Sequence, residues 1–186
     1  GPNHVVEYIN LIIGVYDKAG NQLAALPGNA PWAGFGGDCE FHNDGDPIVL
    51  YDQLADRWVF SQFALFTPTG GHQCFAVSQT SDPLGPYFLY DYVFSAGIND
   101  YPKMGVWPDA YYTTFNDFNP GFTSAVAVAV DRNAMLAGLP AAMVRFDVLS
   151  TPDDTYFALQ PAHLEGLALP PAGAPGFLLM AFDDET

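Results

Sequence analysis

Pro47-Ile-Val-Leu-Tyr-Asp52, followed by Arg57-Trp-Val-Phe-Ser-Gln-Phe-Ala64, decides the fold because the pattern returns later in the chain. Pro102-Lys-Met-Gly-Val-Trp107 opens a second apolar run in the same way, and from Pro47 to Pro102 the offset is 55 residues. Gln53–Phe63 aligns with Pro108–Phe118 without a gap, setting Phe60 against Phe115 and Phe63 against Phe118. Further on, Ala76-Val77 corresponds to Ala129-Val130 with an offset of 53 residues. A chain that repeats itself at this period is built from repeated supersecondary units.

Each unit contains four short runs rich in Val, Ile, Phe, Tyr and Trp, separated by Gly, Pro, Asn and Asp, which is the strand-and-turn pattern. In the first these are Pro47–Asp52, Arg57–Ala64, Gln73–Thr80 and Tyr87–Phe94; in the second, Lys103–Trp107, Ala110–Asp117, Ser124–Asp131 and Met143–Leu149. Outside the pair, His4–Asn10, Ile12–Asp17 and Phe177–Asp183 read as strands, with Asp17–Asn21 as a hairpin turn. Only Arg132–Leu139 suits a helical turn, ended by Gly138 and Pro140. Four antiparallel strands in about 50 residues is the arithmetic of a β-propeller blade. The expected fold is therefore all-β, a propeller-like array of four-stranded antiparallel blades within a single domain or fragment. Its units span 1–45, 46–100, 101–160 and a partial 161–186, with Pro2 and Pro161 as openers of the flanking two. A compact four-bladed ring and a pair of β-sandwiches remain as alternatives, since sandwiches also place strands every 8–12 residues. Three units and a remainder do not close a typical ring. The array is expected to be incomplete, with an open edge that recruits further blades of a longer chain or another copy.

Composition narrows the function classes. Hydrophobic residues make up 49% and charged residues 14%, too apolar for a disordered acidic tail. Five Lys/Arg against twenty-one Asp/Glu give a formal charge of −16, which repels phosphate backbones and anionic lipid. Nucleic acid is thus excluded as a partner. No run approaches the roughly 20 apolar residues of a membrane span. Cys39 and Cys74 are the only cysteines and match no metal spacing. A disulfide between them, in an oxidising and hence extracellular compartment, is expected, with two buried thiols as the other reading.

Gly45-Asp-Pro-Ile-Val-Leu-Tyr-Asp52 through Phe63, and Tyr101-Pro-Lys-Met-Gly-Val-Trp-Pro-Asp-Ala-Tyr-Tyr112, resemble repeats of large secreted bacterial β-propeller proteins. Gly1-Pro-Asn-His-Val-Val6 and Tyr16-Asp-Lys-Ala-Gly20 are similar to the same family. The resemblance implies a fold and a secreted, cell-surface location. It implies no reaction, because such proteins are mostly of unassigned function.

Three places hold chemistry. Asp38, Glu40, Asp44 and Asp46 crowd the loop 36–47, with Asn43 and Gly45 between them. Hard oxygen ligands on such a loop suit calcium, with Asp38, Asp44 and Asp46 as its carboxylates, although the full twelve-residue calcium-loop pattern is missing. A solvated turn uses the same residues. Trp107-Pro-Asp109-Ala-Tyr111-Tyr112 sets a carboxylate beside aromatic rings, which stack on sugars, so these four residues are candidate glycan ligands. A capped turn with buried rings is the plain reading. Asp52 and Asp56 read as hairpin residues and Trp58 as core. His4, His42, His72 and His163 are scattered, Ser61 and Ser78 lie within strands, and no nucleophile elbow, phosphate loop or zinc motif occurs. Two functions follow. The first is an extracellular non-catalytic binding or structural module, part of a larger cell-surface or filamentous assembly. The alternative is a carbohydrate-active enzyme, hydrolase or lyase, using Asp46 and Asp109, which requires their carboxyls to lie roughly 5–9.5 Å apart.

Overall fold

The computed structural model describes residues 1–94, 97–150, 156–166 and 168–181, apart from the side chain of Phe66. Four antiparallel sheets follow one another along the chain. The first holds β1 (His4–Ile9), β2 (Ile12–Asp17) and β3 (Gln22–Pro27). A 3-10 turn at Ala30–Trp32 and a four-residue helix α1 (Asp38–Phe41) lead into the second sheet. That sheet is a meander of β4 (Ile48–Asp52), β5 (Arg57–Thr67), β6 (Gly70–Ser78) and β7 (Tyr87–Val93). The third repeats it with β8 (Ile98–Val106), β9 (Ala110–Phe118), β10 (Phe122–Asp131) and β11 (Met143–Val148), with α2 (Arg132–Leu136) before the last strand. β12 (Gln160–Pro161) and β13 (Leu178–Leu179) form a two-residue ladder.

The protein is therefore all-β, with two four-stranded antiparallel meanders whose strands match the repeat read from sequence, and no sheet among the described residues closes on itself. Four elements were not foreseen: β3, the 3-10 turn, α1 and β12. β3 is Gln-Leu-Ala-Ala-Leu-Pro, without a β-branched or aromatic residue, and it is held by pairing to β2 rather than by propensity. α1 is a single turn in the acidic loop. Of the last expected strand, Leu178–Leu179 pairs, while residues 182–186 lie outside those described.

Stacking of the sheets follows from the period of two along each strand. On the second sheet Trp58, Phe60, Ala64, Cys74 and Ala76 face the first sheet, meeting Tyr8, Ile13, Val15 and Trp32. The intervening Val59, Phe75 and Val77 face the third sheet, meeting Met104, Val106, Tyr111, Phe115, Val126, Val128 and Val130. The middle sheet is thus apolar on both faces, as a sheet packed between two others must be. The opening strands β1, β4, β8 and β12 also touch in succession. At the far edge the hydroxyls of Tyr90 and Tyr92 donate to the Met135 and Ala141 carbonyls, latching β7 to the region of α2.

A buried ion pair pins the same interface. Asp52 is wholly buried and accepts two bonds from the Arg132 guanidinium, at 2.7 and 3.0 Å, and one from the Tyr111 hydroxyl at 2.8 Å. It also accepts from the amides of Leu54 and Ala55, so its hairpin role holds alongside a tie to the third sheet. Trp58 is core, as expected.

Candidate functional site

Cys39 and Cys74 are bonded, with an S–S distance of 2.02 Å. The bridge joins α1 to the centre of β6 and fixes the neighbours of both cysteines. Asp38 precedes Cys39, while His72 lies two residues before Cys74 and so on the same face of the strand. Asp91 of β7 stands directly across the ladder from Cys74.

This brings together side chains that the sequence scatters. His72, only 3% exposed, directs Nδ1 at Asp91 Oδ1 (2.7 Å) and Nε2 at Asp38 Oδ2 (3.1 Å) and Thr69 Oγ1 (2.7 Å). His42, half-buried, directs Nδ1 at Asp44 Oδ2 (3.1 Å) and Nε2 at Asp38 Oδ1 (3.7 Å). Asp44 also accepts from the Leu65 amide at 2.7 Å. Of the carboxylates expected to gather on this loop, Asp38 and Asp44 meet through His42. Asp46 sits in the left-handed backbone region, φ 42°, and is felt electrostatically by Lys103 of β8. Glu40 accepts from the amides of Gly34 and Gly36, which hold its carboxyl below the ordinary value. The histidines were missed because they are far apart in sequence. The disulfide expectation, extended to the residues beside each cysteine, carried the signal.

The second site is the corner after β8. Trp107 is 7% exposed and lies under the chain's own proline-rich segment 169–175. Its indole Nε1 donates to the Ala174 carbonyl at 2.9 Å, and its ring meets Phe177 edge-on at 6.1 Å. Tyr111 is entirely buried against Asp52, and burial together with that charge pushes its phenol far up. Tyr112 donates to Asp109 Oδ2 at 3.2 Å, and Asp109 with Trp107 and the prolines lines a cleft of about 350 Å³. Two of the four expected ligand residues, Asp109 and Tyr112, thus face outward together. Trp107 is covered by the proline-rich segment, and Tyr111 belongs to the core.

Asp109 lies at the end where Tyr111 reaches Asp52, the last residue of β4. Asp46 precedes that strand, six residues earlier. The strand between them, Ile48–Asp52, is extended over roughly 13 Å from first to last residue. Asp46 and Asp109 therefore stand at opposite ends of neighbouring strands.

No helix among the described residues is long and apolar enough to cross a membrane. Comparison of the chain with known protein families, curated proteins and solved structures found no match.

Proposed function

We propose that the protein is an extracellular, non-catalytic binding or structural module whose sheets stack as blades of a propeller-like array, and that its outermost sheets dock a neighbouring blade. The observation carrying this reading is that large apolar side chains stand exposed on the outer face of the first sheet and on the edge strand of the third. On the first sheet Val5, Ile9 and Ile12, around Glu7, face away from the inward Tyr8, Ile13 and Val15 and are exposed, Ile9 by 66%. On the third sheet the chain's own segment 158–164 covers the outer face of β8 and β9, and Ala127 is buried, but Val144 and Phe146 on the edge strand β11 are exposed by 52% and 59%. Patches of this kind mark interaction surfaces. The disulfide supports an oxidising compartment.

The separation of Asp46 from Asp109 removes support from a paired-carboxylate hydrolase or lyase. A neutral glycan at Asp109 and Tyr112 and calcium at the acidic loop are ligands this reading accommodates.

The occupant available to the isolated chain is another copy. Sedimentation velocity across a range of concentrations should show reversible self-association. Ile12→Lys on one face and Phe146→Lys on the other should each abolish it, since a head-to-tail contact needs both. A monomer at every concentration, or association untouched by both substitutions, overturns the reading.

A further inference from the structure

The corner after β8 holds a cleft that stacking of the sheets does not use. We infer that this cleft binds a quaternary ammonium group, a small soluble organic cation on an apolar body, with Asp109 as its counter-charge and Trp107 as its aromatic wall. The inference rests on the reading of the protein as a binding module and deepens it. It does not depend on docking between sheets, since neither Ile12 nor Phe146 lines the cleft.

The walls decide which chemistry fits. Trp107, Pro108 and Asp109 come from the corner, and Pro170, Pro171 and Pro175 from the segment that crosses it, around a volume of about 350 Å³. That is the size of a small-ligand pocket. Proline carries no amide N–H and a carboxylate only accepts, so these residues offer few hydrogen-bond donors. The indole N–H is already committed to the Ala174 carbonyl at 2.9 Å, and the Tyr112 hydroxyl to Asp109 Oδ2 at 3.2 Å. The Ala174 amide likewise donates to the Pro171 carbonyl. An anion or a sugar, whose oxygens must accept, is poorly matched by such walls.

Charge points the other way. Asp109 is exposed, and among the described residues it has no ion-pair partner. Arg132 reaches the Pro108 carbonyl at 3.4 Å, but its charge is matched by Asp52. The lining thus carries one negative charge and no positive one, on a chain whose formal charge of −16 already draws cations. A primary ammonium brings three N–H donors and a guanidinium five, which one carboxylate among prolines leaves partly unmet once water is displaced. A quaternary ammonium has no N–H to satisfy. Its methyl groups pack on apolar walls, its charge faces the carboxylate, and an aromatic ring attracts it. The groove of similar volume beside Leu26, Phe60 and Leu89 has no charged residue in its lining and lacks that preference.

The test titrates the intact protein with choline and follows the indole N–H resonances of its three tryptophans. The Trp107 resonance should shift saturably, and those of Trp32 and Trp58 should stay in place. The carbon isostere of choline, with a tert-butyl group in place of the trimethylammonium, should bind about tenfold more weakly. Choline should lose a similar factor in Asp109→Asn, the scale of one partly screened charge. Asp109 is exposed, so this substitution leaves folding intact. Ethanolamine, with its primary ammonium, should bind more weakly than choline, and glucose should cause no shift. Vesicles of phosphatidylcholine, which carry the same group beside a phosphate, should not compete, setting a soluble ligand apart from a lipid headgroup. Ile12→Lys should abolish self-association and leave choline binding unchanged, so failure of the docking reading and failure of this site are told apart. No saturable shift at Trp107, equal binding of the isostere, undiminished binding in Asp109→Asn, saturable binding of glucose, or competition by the vesicles overturns the assignment.

Discussion

Asp52 shows how much a single buried carboxylate carries. It terminates β4, caps the following turn through two amides, and binds Arg132 from 80 residues away. Desolvation opposes charge on both groups, so the pair is not a large net gain, but breaking it strands the survivor. Arg132→Leu should therefore cost about 3–5 kcal/mol in urea unfolding, whereas joint replacement of Asp52 and Arg132 by leucine should recover much of that loss. A loss below about 1 kcal/mol for the single substitution, the scale of an exposed pair, would show that the interaction is screened. The turn role of Asp52 was readable from Asp-Gln-Leu-Ala-Asp56, since short acidic residues bond to nearby amides. Its partner was not readable, because a lone arginine on a helical turn carries no mark of what it faces. The same holds at His42 and His72, whose meeting depends on how α1 lies on β6.

At the scale of elements, the four-strand meander was legible because alternation and turn residues are local signals, and the repeat supplied an internal check. β3 and β12 were not legible, since their strand character is imposed by partners. The segment that includes β12 is expected to respond to pH through His163. His163 accepts a bond at Nδ1 from the Val106 amide at 3.1 Å, and Leu164 returns a bond to the Val106 carbonyl at 3.1 Å. Burial lowers the His163 pKa, with Glu165 and Asp52 pulling the other way. A folded pKa below the unfolded value means the docked state binds fewer protons. Its stabilising share is complete above the unfolded value of about 6.5 and is lost as pH falls toward the folded one. Acidification should loosen the segment, lowering the protection of the Val106 amide relative to its intrinsic exchange rate and altering Trp107 fluorescence. His163→Gln should remove that pH dependence, and an unchanged profile would assign it to other groups. The disulfide acts at the same scale. Replacing Cys39 and Cys74 by serine should lower stability by about 3–4 kcal/mol in the chain-entropy model for the enclosed loop. Equal denaturation midpoints in the oxidised wild type and the double variant would contradict it.

For the whole molecule, two long-range forces oppose each other. A formal charge of −16 on 186 residues makes any two copies repel, while the proposed docking through the exposed apolar residues of the first sheet and of β11 would draw them together. Repulsion between exposed charges is screened over about 10 Å at 0.1 M salt and about 3 Å at 1 M. Apolar burial needs no such screening and is strengthened by excluded salts such as sulfate. Self-association through the end faces should therefore tighten as sodium chloride rises and tighten further in sulfate at matched ionic strength. Two charge-complementary surfaces would behave oppositely, weakening with every increment of salt. Only five Lys/Arg residues are present in the chain, and Arg132 and Arg145 are engaged with Asp52, Asp117 and Asp147, so few cations remain to build a complementary surface. Sedimentation equilibrium as a function of sodium chloride, repeated with Ile12→Lys, separates the cases. In the unsubstituted chain the dissociation constant should fall with salt, and in the variant no association should appear at any salt. A dissociation constant that rises with salt would place the contact on charged surface away from the sheet faces and refute docking through the ends of the stack.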